Sequence, residues 1–243
     1  MAFCAACPHM SGMDLPEITG SRRATLPNRV GGVIFDMDGT LLDSEAAHLD
    51  IFAEVGAALG WPLPRELLLS MVGVHRDANR DMLAQRLGPD FPIGRFYADS
   101  DSLFEAAVDV GIPAKPGAIA LLTRLADARV PMAVATSTAS PFAEERLAKS
   151  GIADFFNVVV TRSDVARPKP DPEPYLLAAS RLGVSPDQLV AIEDSPVGIR
   201  SATSAGIATI MAPDLLPATD TERATCVAIV DSLADVVGLL ELR

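Results

Sequence analysis

The chain has 243 residues, of which 49% are hydrophobic, so it can bury a sizeable core as one large domain or two modest ones. A formal net charge of −12 and a pI near 4.6 argue against non-specific nucleic-acid binding and against affinity for an anionic membrane surface. Three cysteines, Cys4, Cys7 and Cys226, are too few and too scattered for a disulfide scaffold, no apolar run reaches the length of a membrane span, and no secretory leader pattern opens the chain, so a cytoplasmic protein is expected.

Residues 1–28 carry no clear periodicity and are rich in small residues, Gly and Pro; they read as a poorly ordered extension. Cys4, Cys7 and His9 have the spacing of half a metal site, with no second half nearby. Val33-Ile34-Phe35 reads as the end of a buried parallel strand. It runs straight into Asp36, with Asp38 two positions on and Gly39 where a sharp turn needs a residue without Cβ. After Asp43-Ser44-Glu45 the pattern turns helical, with Ala47, Ile51, Phe52, Val55 and Leu59 on one face and Gly60 as a stop. Further helical stretches follow near 65–71, 76–87 and 95–110, with no strand pattern between them. This block, residues 45–114, is expected to form a small all-α cap inserted after the first strand.

From Lys115-Pro116-Gly117 strands and helices alternate. Strands are expected at 130–135, 157–161, 189–192, 207–211 and 227–230, and helices over 118–128, from Ser140-Pro141 to Gly151, and over 171–182, 195–206 and 232–240. Such alternation implies an α/β fold, a doubly wound Rossmann-like parallel sheet. Residues 29–44 and 115–243 would form its catalytic core.

Asp36/Asp38, Thr136/Ser137, Lys169 and Glu193/Asp194 all fall at the carboxyl ends of strands or in the loop after one. In a parallel sheet those ends share one edge, where open α/β sheets bind ligands. Asp-x-Asp-Gly alone could equally be a surface turn held by local hydrogen bonds; the partners at the other strand ends favour a site. Four carboxylates there require protons or cations, because unit charges ~4 Å apart repel by about 4 kcal/mol at an effective dielectric near 20. Oxygen-only donors favour Mg²⁺ over zinc. The Thr136 hydroxyl, the Ser137 amide and the Lys169 ammonium suit a phosphoryl group.

These motifs, in this order, resemble the haloacid dehalogenase superfamily of phosphotransferases, in its helical-cap subgroup; the resemblance runs from about Gly31 to the C-terminus. It implies that Asp36 is the nucleophile that forms an aspartyl phosphate and that Asp38 is the general acid and base. It implies a Mg²⁺ ion on the Asp36 carboxylate, the Asp38 backbone carbonyl and Asp194, with Glu193 as a ligand or a partner of the ligands. Dehalogenation is disfavoured, because dehalogenases of this family lack the second acidic residue, here Asp38. Within the cap, Val72-Gly73-Val74-His75-Arg76 resembles the specificity loop of β-phosphoglucomutases, and His48 matches a position those mutases carry. Arg76 is read as gripping substrate or as a solvated helix-end charge, His48 as a substrate contact or as a helix-face residue under the cap. Trp61 and Phe104 are read as cap core. No lysine occurs between Pro89 and Gly111, where the mutases use one. The expected activity is therefore Mg²⁺-dependent hydrolysis of small phosphorylated metabolites, with a phosphosugar mutase as the alternative and monomer or dimer left open.

Overall fold

The computed structural model describes residues 25–72, 74 and 76–240. The readings of residues 1–24, with Cys4, Cys7 and His9, and of Gly73 and His75 lie outside the described residues. Six parallel strands form one sheet in the order β3-β2-β1-β4-β5-β6. They are β1 (Gly32–Phe35), β2 (Met132–Ala135), β3 (Val158–Val160), β4 (Leu189–Glu193), β5 (Ala208–Met211) and β6 (Ala228–Ile229). The α/β doubly wound sheet expected from the alternation is thus present; β2, β3, β5 and β6 are one or two residues shorter than the apolar runs, and β4 extends one residue further, to Glu193.

The central strand shows why the apolar runs are continuous. Val33, Ile34 and Phe35 are all fully buried, but alternate residues enter different clusters. Val33 and Phe35 join Met132, Val134, Val190 and Ile192 on one face. Ile34 joins Ala133, Ala135 and Ala191 on the other, where Tyr175, Ala178 and Ala179 of α7 (Glu173–Leu182) pack against them. Alanines on both sides of that contact let α7 lie close to the sheet.

Between β1 and β2 stand α1 (Ser44–Ala58), α2 (Arg65–Leu69), α3 (Arg76–Leu87) and α4 (Ile93–Val110), and α1 packs along α4. Phe96 sits among Phe52, Phe91 and Tyr97 with ring centroids 5.2 to 5.3 Å apart, and Trp61 meets Phe91 edge-on. Phe104 is buried in this block's apolar cluster, and Trp61 is half-buried against it. The cluster is continuous with one face of the sheet and takes in α5 (Ala118–Asp127) and α10 (Leu233–Leu239). Leu26 also packs against that cluster.

The remaining helices are α6 (Phe142–Lys149), α8 (Pro196–Ser204) and α9 (Asp220–Thr225). Ser195 caps α8 as its sequence suggests, its Oγ accepting from the Gly198 N–H at 3.1 Å. Ser140 does not cap α6. That helix begins one residue later, after Pro141, and the Ser140 N–H donates to Ser163 Oγ at 3.2 Å. Cys226 is buried, as read. No helix among the described residues is long and apolar enough to cross a membrane.

Candidate active site

The strand order reverses at β1, with β2 on one side and β4 on the other. The crevice beyond the carboxyl ends of β1 and β4 is the ligand position of such sheets. Asp36, the residue after β1, is 7% exposed, and Glu193, the last residue of β4, is fully buried. Oxygens of Asp36, Glu193 and Asp194 lie within 4.8 Å of one another.

Lys169 reaches into this cluster from the loop before α7. Its Nζ donates to Asp36 Oδ1 at 2.6 Å and to Glu193 Oε1 at 2.5 Å, with the side chain 4% exposed. Tyr175 OH also donates to Glu193 Oε1, at 2.8 Å. The Asp194 and Ser195 N–H groups and Ser195 Oγ donate to Oε2 at 3.1 to 3.2 Å. Five donors on one carboxylate use up its acceptor sites, so Glu193 orients its neighbours and has little left to offer a metal ion. Asp194 accepts from Thr40 Oγ1 at 2.9 Å through Oδ1. Its Oδ2 faces Gly39, where a Cβ would stand 2.5 Å from it and where φ is +84°. Gly39 is therefore required twice, by its left-handed backbone and by the closeness of Asp194.

The electrostatics show a deficit of positive charge. One ammonium serves two carboxylates and lies beside a third. Burial pushes the Asp36 carboxyl up to about 8; Lys169 opposes the rise, and Glu193 and Asp38 add to it. Burial also pushes Asp194 well up, reinforced by Asp36 and Glu193. Lys169 holds its own proton more tightly than usual: burial opposes this, but the two carboxylates together outweigh it. The two directions are compatible, because Lys169 gains from both carboxylates whereas Asp36 shares its one cation with Glu193. Each pair of ionised oxygens at this spacing repels by roughly 3 kcal/mol at an effective dielectric near 20. All-oxygen donors short of cationic charge fit a hard divalent ion, and Asp36 and Asp194 are the carboxylates with acceptor sites left for it.

The second motif carboxylate points elsewhere. Asp38 Oδ1 accepts from Arg146 Nη1 at 2.9 Å and Oδ2 from Thr138 Oγ1 at 2.7 Å. Of the four carboxylates expected at this edge, three group within 4.8 Å, and Asp38 stands beside them on its own guanidinium, close enough to raise the Asp36 carboxyl. Thr136 is buried after β2, its Oγ1 accepting from the Thr138 N–H at 3.0 Å, and Ser137 beside it is exposed.

Arg76 and His48 lie in the helical block, lining a cavity of about 250 Å³ with Glu45, Asn79, Tyr97 and Asp101. Arg76 makes two hydrogen bonds to Asp101, at 2.7 and 3.0 Å, and stands 4.4 Å above the Tyr97 ring. His48 Nδ1 donates to the Ser44 carbonyl at 2.9 Å, and its ring stacks on Phe104 with centroids 3.7 Å apart. Burial lowers the His48 pKa, against the hydrogen bond to the Ser44 carbonyl. Asn79 Oδ1 and Tyr97 OH are buried there without partners. A larger cavity, about 330 Å³, lies at the amino ends of β2 and β3, at the opposite edge of the sheet from Asp36, and is lined by Arg129 and Asn157.

Sequence reasoning gave no site role to Thr138, Arg146, Tyr175 or Asp214, and read Lys115 only as part of the exit from the helical block. Lys115, from the segment before α5, pairs with Asp214 and with Asp43 at 3.3 Å. Asp214 Oδ2 is buried without a partner and would lie 3.3 Å from a Cβ at Gly39.

The family described as haloacid dehalogenase-like hydrolase matches residues 33–212. The chain is 35% identical to validoxylamine A 7′-phosphate phosphatase of Streptomyces hygroscopicus subsp. limoneus, over 72% of this chain and 81% of that one. It is 36% identical to hexitol phosphatase A of Escherichia coli, over 73% and 81%. A solved structure of a CbbY variant from Rhodobacter sphaeroides, in complex with xylulose 1,5-bisphosphate, superposes with a TM-score of 0.64 at 30% identity, covering 86% of this chain and 99% of that one. The chain belongs to the haloacid dehalogenase-like hydrolases.

Proposed function

We propose that this hydrolase is a phosphatase of small phosphorylated metabolites, with sugar phosphates as the favoured class. The observation that carries the reading is Asp36, buried at the end of β1 between Lys169 at 2.6 Å and the Asp194 carboxylate. A nucleophile must be anionic to attack phosphorus, and it must approach an anionic phosphate; the Lys169 ammonium, together with a bound metal ion, would serve both needs. Phosphatase and sugar-phosphate names among the relatives support the same class.

In this reading Asp36 attacks phosphorus while the bond to the ester oxygen breaks, and Asp38 gives its proton to that oxygen. Asp38 then takes a proton from water, whose oxygen displaces the Asp36 carboxylate and releases phosphate. The Lys169 ammonium, the Thr136 hydroxyl and the Ser137 amide hold the phosphoryl oxygens. Asp36, Asp194 and the Asp38 backbone carbonyl would hold Mg²⁺, which would offset charge where carboxylate meets phosphate. The block 45–114 acts as a cap whose cavity receives the rest of the substrate, with Arg76 and His48 in its wall. Arg76 is already paired with Asp101, which favours a phosphatase over a mutase that must grip a second phosphate.

A panel of sugar phosphates and p-nitrophenyl phosphate, assayed for released phosphate with and without Mg²⁺, tests the reading. Steady Mg²⁺-dependent release, abolished in a folded Asp36→Asn variant, is expected. An Asp36→Asn variant with the parent rate refutes the nucleophile. Turnover only of β-glucose 1-phosphate, in the presence of glucose 1,6-bisphosphate, refutes the phosphatase.

A further inference from the structure

Arg146 belongs to none of the motif loops. It lies in the middle of α6, in the sequence Glu144-Glu145-Arg146-Leu147, which reads as an ordinary amphipathic surface. Yet its side chain is only 18% exposed, and Nη1 donates to Asp38 Oδ1 at 2.9 Å and to Thr138 Oγ1 at 3.3 Å. Thr138 in turn donates to Asp38 Oδ2. Each oxygen of Asp38 is therefore held from a different element. The guanidinium carbon lies 5.0 Å from the centroid of Phe104 in α4, and Phe104 is stacked on His48. Arg146 is thus fixed on one side by the acid and on the other by the helical block.

We propose that Arg146 is a positioning residue for Asp38, and that Phe104 ties this position to the packing of the helical block on the core. The inference rests on the reading of Asp38 as the proton donor. A general acid must stand within hydrogen-bond reach of the leaving oxygen, about 2.6–3.2 Å, and a carboxylate restrained at one oxygen alone would still turn about its side-chain bonds. A guanidinium suits the task because it remains a donor at every working pH and its planar fork keeps a fixed geometry. A mere surface ion pair would contribute little to stability and nothing selective to the reaction.

The leaving group separates these roles. A sugar alkoxide leaves only if it is protonated as the ester bond breaks. p-Nitrophenolate leaves as a stabilised anion and needs no proton from Asp38. The quantity to compare is kcat/KM, which reports the step that breaks the ester bond, for the sugar phosphate turned over fastest and for p-nitrophenyl phosphate. In Arg146→Ala the sugar phosphate should lose about 10²-fold, the usual contribution of a placed acid, and the aryl ester a small part of that. Arg146→Lys should restore part of the difference. Phe104→Leu, which leaves the charges intact, should shift the ratio in the same direction by less. Equal losses on both esters, no loss, or a gain on the sugar phosphate in Arg146→Ala would overturn the assignment. An unchanged ratio in Phe104→Leu would overturn the part given to the helical block. A parent enzyme that releases phosphate from neither ester would overturn the phosphatase reading, and this inference with it.

Discussion

Gly198→Ala sets two physical effects of opposite sign against each other. Gly198 lies in the first turn of α8, where replacing glycine by alanine ordinarily stabilises a helix by about 0.5–1 kcal/mol. Here an alanine Cβ would fall well under 3.0 Å from both oxygens of Glu193. A clash with the tip of a flexible side chain is usually relieved by rotation. Glu193 cannot rotate without cost, because it is fully buried and its carboxylate holds Lys169, Tyr175, Ser195 and two backbone N–H groups. Moving it strips the fully buried Tyr175 hydroxyl and the Lys169 ammonium of an acceptor. Breaking a buried charged contact costs about 3–5 kcal/mol. The net expectation is a loss of about 2–4 kcal/mol, or roughly 5–15 °C in melting temperature for a chain of this size. Urea denaturation of the purified variant, alongside its phosphate release, measures both consequences. A Gly198→Ala protein as stable as the parent would show that the Glu193 hydrogen bonds do not hold the site together.

Two further outcomes follow from the same cluster. Lys169→Met removes the one ammonium shared by Asp36 and Glu193, so it should cost about 3–5 kcal/mol in denaturant titrations and abolish phosphate release. The Asp36 carboxyl is raised by burial from 3.8 to about 8, so between those pH values the folded chain keeps a proton that the unfolded chain has released. The stability of the metal-free protein should therefore fall as pH rises through that window. Melting curves at pH 5 and pH 8 check this: Mg²⁺ should raise the midpoint more at pH 8, and Asp36→Asn should flatten the decline. A metal-free midpoint that climbs with pH would refute the charge deficit.

What the sequence makes legible is what strands and their ends impose. Val33–Phe35 and Leu189–Ile192 are apolar throughout because both sheet faces are covered, and such runs identify parallel strands without any contact information. Once those strands are placed, Asp36, Lys169 and Asp194 can meet, because parallel strands end at one edge. Arg146 and Tyr175 were not legible. Each reaches the site from a helix, where 3.6-residue periodicity distinguishes an inner from an outer face but not what the inner face meets. Tyr175 reads as apolar packing until its hydroxyl is found 2.8 Å from Glu193. Ser140 shows the opposite error, a capping residue type followed by proline whose helix starts one residue later.

Asp36 and Asp38 stand two positions apart and carry the same side chain, yet the fold gives them different surroundings. Asp36 follows directly from β1 and stays in the sheet's interior, on an ammonium that it shares with Glu193. Past Met37 the chain bends at Gly39, and the Asp38 carboxylate emerges 22% exposed onto a guanidinium and a hydroxyl. A buried carboxylate poor in cations gains most from a metal ion, and in the proposed reaction its bond to phosphorus would move negative charge out of the crowded cluster. The partly exposed one is open to solvent and is held at both oxygens, by Arg146 and by Thr138. In the proposed reaction two aspartates of one motif would thereby take different roles, nucleophile and proton carrier, by the difference between a strand end and the turn that follows it.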